Sequence, residues 1–438
     1  VDRATVVNPG DGKLRWSGAR WRPLGSATFR RLAAAYTLNE LGNWIGDVAL
    51  AILVFDRTAS ALATAALFLS LRFVPALLAP LLTSRLVAVD ASRVLPAIHL
   101  AEGLIFVAIA WIATRFSFPA VLVLAALDGL LAITAKALTR GSTAALLLAD
   151  DQLRQGNAIL NLGFTASGAI GPALAGLIVA ALGPSAALLV DAATFGGVAV
   201  ILATARGLRL DSQPASGSLG RLRAGLSEAW SRPGVRRLLA AQALALVFFS
   251  AVVPIEVVYA KGTLHAGDSG YGALLAAWGG GMVVGGIAYA SAARVRLLLL
   301  LAVSTALIGV GYLGLALAPG LVLACAFSAV GGLGNGAQWI AVVTAVQEAV
   351  SAAAQSSVMA VLESINQIMP AVGFLLGGAL VALGSPRTAY AVAGAGVFAV
   401  LLWVRVSYAL KGVVGARGLG RPATDYIRGG VGGQRSER

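Results

Sequence analysis

Twelve long apolar stretches, each ended by a short polar or Gly/Pro turn, set the layout of this chain. They run over residues 32–55, 60–84, 94–114, 119–140, 155–182, 185–205, 237–258, 269–292, 297–317, 320–345, 357–383 and 387–410. A helix needs about 20 predominantly apolar residues to cross a bilayer, and every stretch reaches that length. Segments such as "FDRTAS", "ALGPSA" and "ALGSPRT" read as the turns between spans. Runs this long and this closely spaced are not secretory signals, and no cleavable signal is expected before the first. The expected architecture is all-α: a polytopic membrane protein of twelve transmembrane helices.

Composition turns that expectation into an exclusion. Hydrophobic residues make up 58% of the 438, charged residues 12%, and the mean hydropathy is +0.84. A soluble chain carries about 25% charged residues, so a soluble fold has too little polar surface to cover this one. Aromatics stay at 7% while Ala, Leu, Val and Gly fill the stretches, and small residues let membrane helices approach closely. Cys325 is the single cysteine, which excludes an intramolecular disulfide and a thiolate metal cluster. It reads as a small buried hydrophobe. With His99 and His265 the only histidines, neither a zinc site nor histidine-based catalysis is expected.

The net charge of +14 could suggest nucleic acid, but its distribution points elsewhere. With both termini on the cytoplasmic side, the inner segments hold 26 of the 33 basic residues. The outer loops hold four: Arg57, Arg115, Lys261 and Arg387. Cytoplasmic enrichment of Lys and Arg is the usual rule, so this orientation and an even number of crossings are expected, with no nucleic-acid partner. Only four of the basic residues are lysines, a bias that suits a GC-rich bacterial genome. The expected location is the bacterial inner membrane.

The chain also repeats. "FRRLAAAYTL" (29–38) and "VRRLLAAQAL" (235–244) are identical at six of ten positions, 206 residues apart. "AGLIVAALG" (175–183) and "GGALVALG" (377–384) echo each other at a similar offset. Echoes on both sides of a basic linker suggest duplicated six-span halves. The expected units are therefore a basic segment (1–31), a six-helix bundle (32–205), a linker with an amphipathic helix (206–236), a second bundle (237–410) and a Gly/Arg-rich tail (411–438). In the linker, "LGRLRAGLSEAW" reads as a helix lying along the membrane surface. Trp16 and Trp21, alternating with Arg15, Arg20 and Arg22, suit the lipid headgroup layer. The tail reads as a solvated or lipid-skimming segment.

Ionisable residues inside a span are costly and mark candidate functional positions. Glu40, Asn43, Trp44 and Asp47 fall at i, i+3, i+4 and i+7 in span one, on one helix face. Such a stripe faces other helices or a wet cavity. It serves either as a proton or cation site beside a substrate pocket, with Asp47 and Glu40 as the proton-coupling groups, or as an interhelical hydrogen-bond cluster. Burial raises a carboxyl pKa toward the range where a proton can be loaded and released.

Glu363, Asn366, Gln367 and Pro370 repeat the spacing in span eleven, and Asn335, Gln338 and Trp339 join them from span ten. These suit a polar and aromatic wall for a partly apolar ligand or, equally, structural packing. Arg72 in span two needs a carboxylate partner, for which Glu40 or Asp47 is suitable. Asp128 and Lys136 in span four lie about 80° apart around the helix and need not pair. Arg140 lies near the cytoplasmic end, where it can snorkel. Glu102 and Asp191 read as structural, and Glu256 as interfacial. Enzymatic motifs are missing: there is no Walker A, H-E-x-x-H or G-x-S-x-G sequence, and no cofactor or metal is expected. "GGGMVVGG" (279–286) reads as a helix-packing run.

Three passages resemble the major facilitator superfamily, in its branch of macrolide and drug efflux pumps and enterobactin exporters. They are "FRRLAAAYTLNELGNWIGDVALAILVFDRTAS", "LRFVPALLAPLL" and "LTRGSTAALLLADDQLRQGNAILNLGFTASGAIGPALAG". The resemblance covers residues 29 to about 410. It implies two pseudo-symmetric six-helix bundles. Gly168, Gly171, Pro172 and Gly176 are similar to the span-five motif associated with antiporters, and Pro172 with these glycines implies a bend at the interface of the halves.

The loop between spans two and three usually reads G-x-x-x-D-R-x-G-R-R, a charge network that latches the cytoplasmic side. Here Val87 and Ala88 replace the Asp-Arg pair, while Arg85, Asp90 and Arg93 remain; Arg140 is grouped with this gating set. The resulting expectation is a monomeric secondary transporter embedded in membrane lipids, exporting a small amphipathic compound in exchange for protons. Rival readings are a lipid or siderophore carrier, an importer of the same fold, or a membrane scaffold or sensor that transports nothing.

Overall fold

The computed structural model describes residues 18–86, 90–147, 152–205, 208, 218–292 and 295–418. Among these there is no strand, and twelve helices are long and apolar enough to span a membrane. They are α1 Ala27–Thr58, α2 Ala61–Thr83, α3 Ala91–Arg115, α4 Phe118–Leu147, α5 Gln155–Leu182, α6 Pro184–Ala203, α7 Pro233–Thr263, α8 Gly267–Ser291, α9 Leu297–Leu317, α10 Leu321–Glu348, α11 Ser357–Leu383 and α12 Pro386–Val406. Each matches one predicted stretch in order, with ends shifted by a few residues.

The starts are set by local chemistry. Ser26 accepts from Phe29 N at 3.3 Å to cap α1, Ser60 accepts from Ala63 N at 3.2 Å to cap α2, and Pro184 and Pro233 occupy first-turn positions where their missing N–H costs nothing. A connecting helix, Ser218–Ser231, covers the reach read as amphipathic. It packs on α11, where a Cβ on Gly225 would meet Ser357 O at 2.1 Å. Residues 1–17, with Arg15 and Trp16, the degenerate motif positions Val87 and Ala88, and tail residues 419–438 lie outside the described residues, whereas Trp21 and Arg22 fall in a short 3-10 helix, Gly18–Gly25.

The helices form two six-helix bundles, α1–α6 and α7–α12. The halves meet chiefly through α5 against α8 and α2 against α11. The fifth helix of each half thus meets the second helix of the other, as a twofold relation between duplicated halves requires. The α5–α8 seam is backbone on backbone. A Cβ on Gly279 would sit 2.4 Å from Gly168 O, and one on Gly272 would sit 2.4 Å from Pro172 O. On its other faces, α8 uses Gly281 and Gly285 to admit the carbonyls of Ala329 and Leu333. The Gly-rich run therefore serves as packing.

The two ends of the molecule differ. At the end carrying the α1–α2 and α7–α8 turns, Lys261 Nζ bridges Asp56 and Asp268 at 2.5 Å each, tying α1 of one half to α7 and α8 of the other. The ion pairs described nearer the opposite end, Asp47–Arg72 and Glu40–Lys136, lie within the first half.

Candidate functional site

α1 is the most enclosed of the twelve spans, and its polar stripe faces a cavity of about 280 Å³. Glu40, Asn43, Trp44, Asp47, Arg72 and Lys136 all line it. The lining runs from Asp47 in the middle of α1 back to Leu32, roughly 22 Å at 1.5 Å per residue. The cavity thus lies between the molecule's centre and the end opposite the Lys261 bridge.

Two ion pairs hold the stripe. Asp47 Oδ2 accepts from Arg72 Nη2 of α2, and Glu40 Oε1 faces Lys136 Nζ of α4 at 3.2 Å. The ammonium of Lys136 also lies 5.0 Å over the Phe164 ring of α5, a cation–π contact. Glu40 is 6% exposed, so its charge depends on Lys136 for compensation. Arg72 and Lys136 remain about half open to the cavity. Of the two carboxylates suited to Arg72, the fold selects Asp47.

The backbone explains how Arg72 reaches that position. Residues Leu69–Phe73 form a wide π-helical turn, which accommodates one extra residue. Pro75 lacks an N–H, leaving the Leu71 carbonyl without its usual partner. That carbonyl approaches Gly129 of α4, where a Cβ would sit only 2.1 Å away. Asp128 is therefore carried behind the wall. It is 7% exposed, absent from the cavity lining, and its Oδ1 has no partner among the described residues.

A buried acidic layer extends from there. Asp191 of α6 is fully buried in a notch made by Gly42 and Gly46 of α1. A Cβ at those positions would fall 2.4 Å from Asp191 Oδ1 and 2.2 Å from Oδ2. Thr194 Oγ1 donates to Oδ1 at 3.0 Å, while Oδ2 has no partner among the described residues. On α3, His99 Nδ1 and Glu102 Oε2 lie 2.6 Å apart, both buried, and His99 reaches the cavity wall. From sequence alone Glu102 and Asp191 read as structural, with no link to α1. The signal was the Gly42/Gly46 pair at i, i+4 beside Asp47.

The second half has its own cavity, about 310 Å³, lined by Asn335, Gln338, Trp339, Glu363 and Asn366 with Gln242, Phe249 and Thr305 among others. Gln338 Nε2 donates to Gln242 Oε1 at 3.0 Å. Gln367 is off the wall but donates to Glu363 Oε1 at 3.1 Å. Both polar atoms of the Asn366 amide are shielded from solvent without a partner among the described residues. Gln242, Phe249 and Thr305 carry no signal in the sequence that marks them as cavity residues.

The span-five motif does two jobs. Gly168 and Gly171 form a trough for Trp44, with a Cβ on Gly171 falling 2.6 Å from Trp44 Cβ; Gly168 and Gly176 also meet α8. Helix α5 runs on through Pro172. In the loop set, Asp90 caps α3, accepting from Ser92 N at 3.0 Å and Ser92 Oγ at 2.5 Å. Those bonds hold its carboxyl below the usual carboxylate range. Arg85, Arg93 and Arg140 are exposed, and none of them pairs with Asp90 within 4 Å.

Two six-helix bundles packed through glycine seams around polar central cavities define a multi-pass membrane transporter of the major facilitator type, not an enzyme. The chain belongs to the transmembrane secretion effector family of that superfamily, whose profile matches residues 18–362. No curated protein matches the sequence.

Among solved structures it is similar to the nucleoside transporter NupG, with a TM-score of 0.69 at 13% identity over 87% of this chain and 99% of that one. A bacterial homologue of the iron transporter ferroportin in an inward-facing state gives 0.64 at 14% identity, over 86% and 97%. A bacterial homologue of the human lysosomal transporter Spinster, inward-facing and unoccupied, gives 0.62 at 13% identity, over 91% and 96%. At these identities the likeness is one of fold.

Proposed function

We propose that this transporter is a proton-coupled exporter of a small amphipathic compound, working by alternating access in a bacterial inner membrane with both termini in the cytoplasm. The observation that carries this reading is the pair of ion pairs on α1, Asp47–Arg72 and Glu40–Lys136, on the wall of a central cavity. They tie α1 to α2 and to α4. Protonating either carboxylate removes the attraction across its pair, so proton uptake loosens α1 from its neighbours. Placing the basic segments in the cytoplasm puts the Lys261 bridge outside, and the conformation is then inward-open, ready to load cargo from the cell. The family's description as a secretion effector and the span-five antiporter-like glycines both support export.

The test is transport by the purified protein in proteoliposomes, with a macrolide (erythromycin) and a quaternary ammonium dye (ethidium) as probes. Accumulation against the probe gradient is expected only when a pH gradient is imposed, with one pH jump driving it and the reverse jump abolishing it. Accumulation indifferent to the pH gradient sinks the coupling. Movement driven solely in the opposite sense sinks export.

A further inference from the structure

The two cavity walls differ in how their charge is compensated. On the first-half wall the cations are already engaged: Arg72 with Asp47 and Lys136 with Glu40. Neither is free to select an anion without first losing its carboxylate. On the second-half wall Glu363 is the one charged residue, and it forms no ion pair among the described residues. Its Oε1 accepts from Gln367, and Oε2 has no donor among the described residues.

Glu363 is exposed to the open cavity within the membrane-spanning region, where a carboxylate without a cationic neighbour favours a cation in contact with it. The groups beside it suit an organic cation. Trp339 is 42% exposed and lines the same cavity, and indole is the best aromatic surface for an ammonium. Phe249 leads into a packed aromatic cluster, 5.9 Å from the Trp278 ring and 6.4 Å from that of Tyr312. Asn366 presents a shielded amide with both polar atoms unpartnered among the described residues. A buried amide is normally satisfied, so a polar group of a ligand is the fitting partner. At about 310 Å³ the cavity is at the small end for organic ligands.

We infer that the second-half cavity is a subsite for an amphipathic amine or quaternary ammonium compound, with the cationic nitrogen against Glu363 and the apolar body against Trp339 and Phe249. This rests on the export reading only in treating the cavity as part of the transport route.

Equilibrium binding to the protein in phosphatidylglycerol nanodiscs tests it, with benzyltrimethylammonium and phenylacetate as water-soluble probes of similar size and opposite charge. The cation is expected to bind and the anion to bind at least tenfold more weakly, a comparison that needs no variant. Glu363→Gln should weaken the cation at least tenfold, Glu363→Asp should retain most of the affinity, and Trp339→Ala should weaken it severalfold. Equal binding of both probes, no binding of the cation, or an unchanged affinity in Glu363→Gln overturns the inference. A severalfold loss of affinity in phosphatidylethanolamine nanodiscs overturns the choice of a free amine in favour of a lipid headgroup. Because no gradient is applied, a protein that binds the cation but fails in the transport assay tells against export and coupling, not against this subsite.

Discussion

The first half of the central site spends its charges on itself, and the second half leaves its polar groups open. Around α1 every cavity-lining carboxylate has a cationic partner on a neighbouring helix, and Asp191 behind it is sealed in a notch of Gly42 and Gly46. Around α10 and α11 there are amides, a half-exposed indole and an unpaired carboxylate. Charge pairs between helices fix and switch helix positions. Unsatisfied amides and open aromatic faces recognise ligands. On the proposed function the duplicated bundles divide the labour, with a moving part in one half and a gripping part in the other.

The most severe way to break this contrast is to fill the first-half notch. Gly46→Val places a side chain where Asp191 Oδ2 and the Phe106 ring already sit, 2.2 and 2.6 Å from its Cβ. Overpacking of this kind costs about 1–3 kcal/mol, and a clear fall in melting temperature is expected. Glu363→Gln, on the open wall, should melt like the parent. Equal falls in both would erase the distinction.

Next in size is the removal of one partner. Lys136→Met leaves the buried Glu40 without its cation and should destabilise by roughly 1–3 kcal/mol, less if the half-open cavity admits water. Adding Glu40→Gln should recover most of it, giving a double-mutant-cycle coupling of about 1 kcal/mol or more. Additive losses would mean that the pair does not tie α1 to α4.

A smaller effect is expected at the end that Lys261 bridges. Lys261 is 19% exposed and serves two carboxylates from opposite halves. Lys261→Met should cost that end about 1 kcal/mol, a fivefold shift in population. Spin labels placed beside the α1–α2 and α7–α8 turns would report it as a new long-distance component. An unchanged distance distribution removes the bridge from the gate.

The smallest effect belongs to Asp90. Its carboxyl is held below the usual range by Ser92, so its contribution is present at neutral pH and is lost only as acid titrates it below that range. Asp90→Ala should speed hydrogen exchange in the first turn of α3 alone. Exchange changes elsewhere would restore a gating role to this loop.

Most of the fold was legible in the sequence, because bilayer thickness and backbone satisfaction leave helices of one length as the solution for such apolar runs. The stripe on α1 was legible for the same reason that any helix face is: i, i+3, i+4, i+7 spacing survives folding. What spacing does not carry is partnership across helices. The choice of Asp47 over Glu40 for Arg72 depended on a π turn and a proline-freed carbonyl. Lys261 read as an ordinary outer-loop cation because its partners are 205 residues away in one case and across a turn in the other. Asp191 looked structural alone and became part of the acidic layer only once Gly42 and Gly46 turned toward it.

The central claim, that α1 carries the coupling, is tested most directly by comparing two transport modes in Glu40→Gln/Asp47→Asn proteoliposomes. Exchange of ethidium at equal concentrations and pH on both sides needs only binding and alternation. Uphill accumulation under a pH gradient needs coupled protons as well. The account predicts that exchange persists while uphill accumulation is lost. Uphill accumulation equal to that of the parent would contradict it.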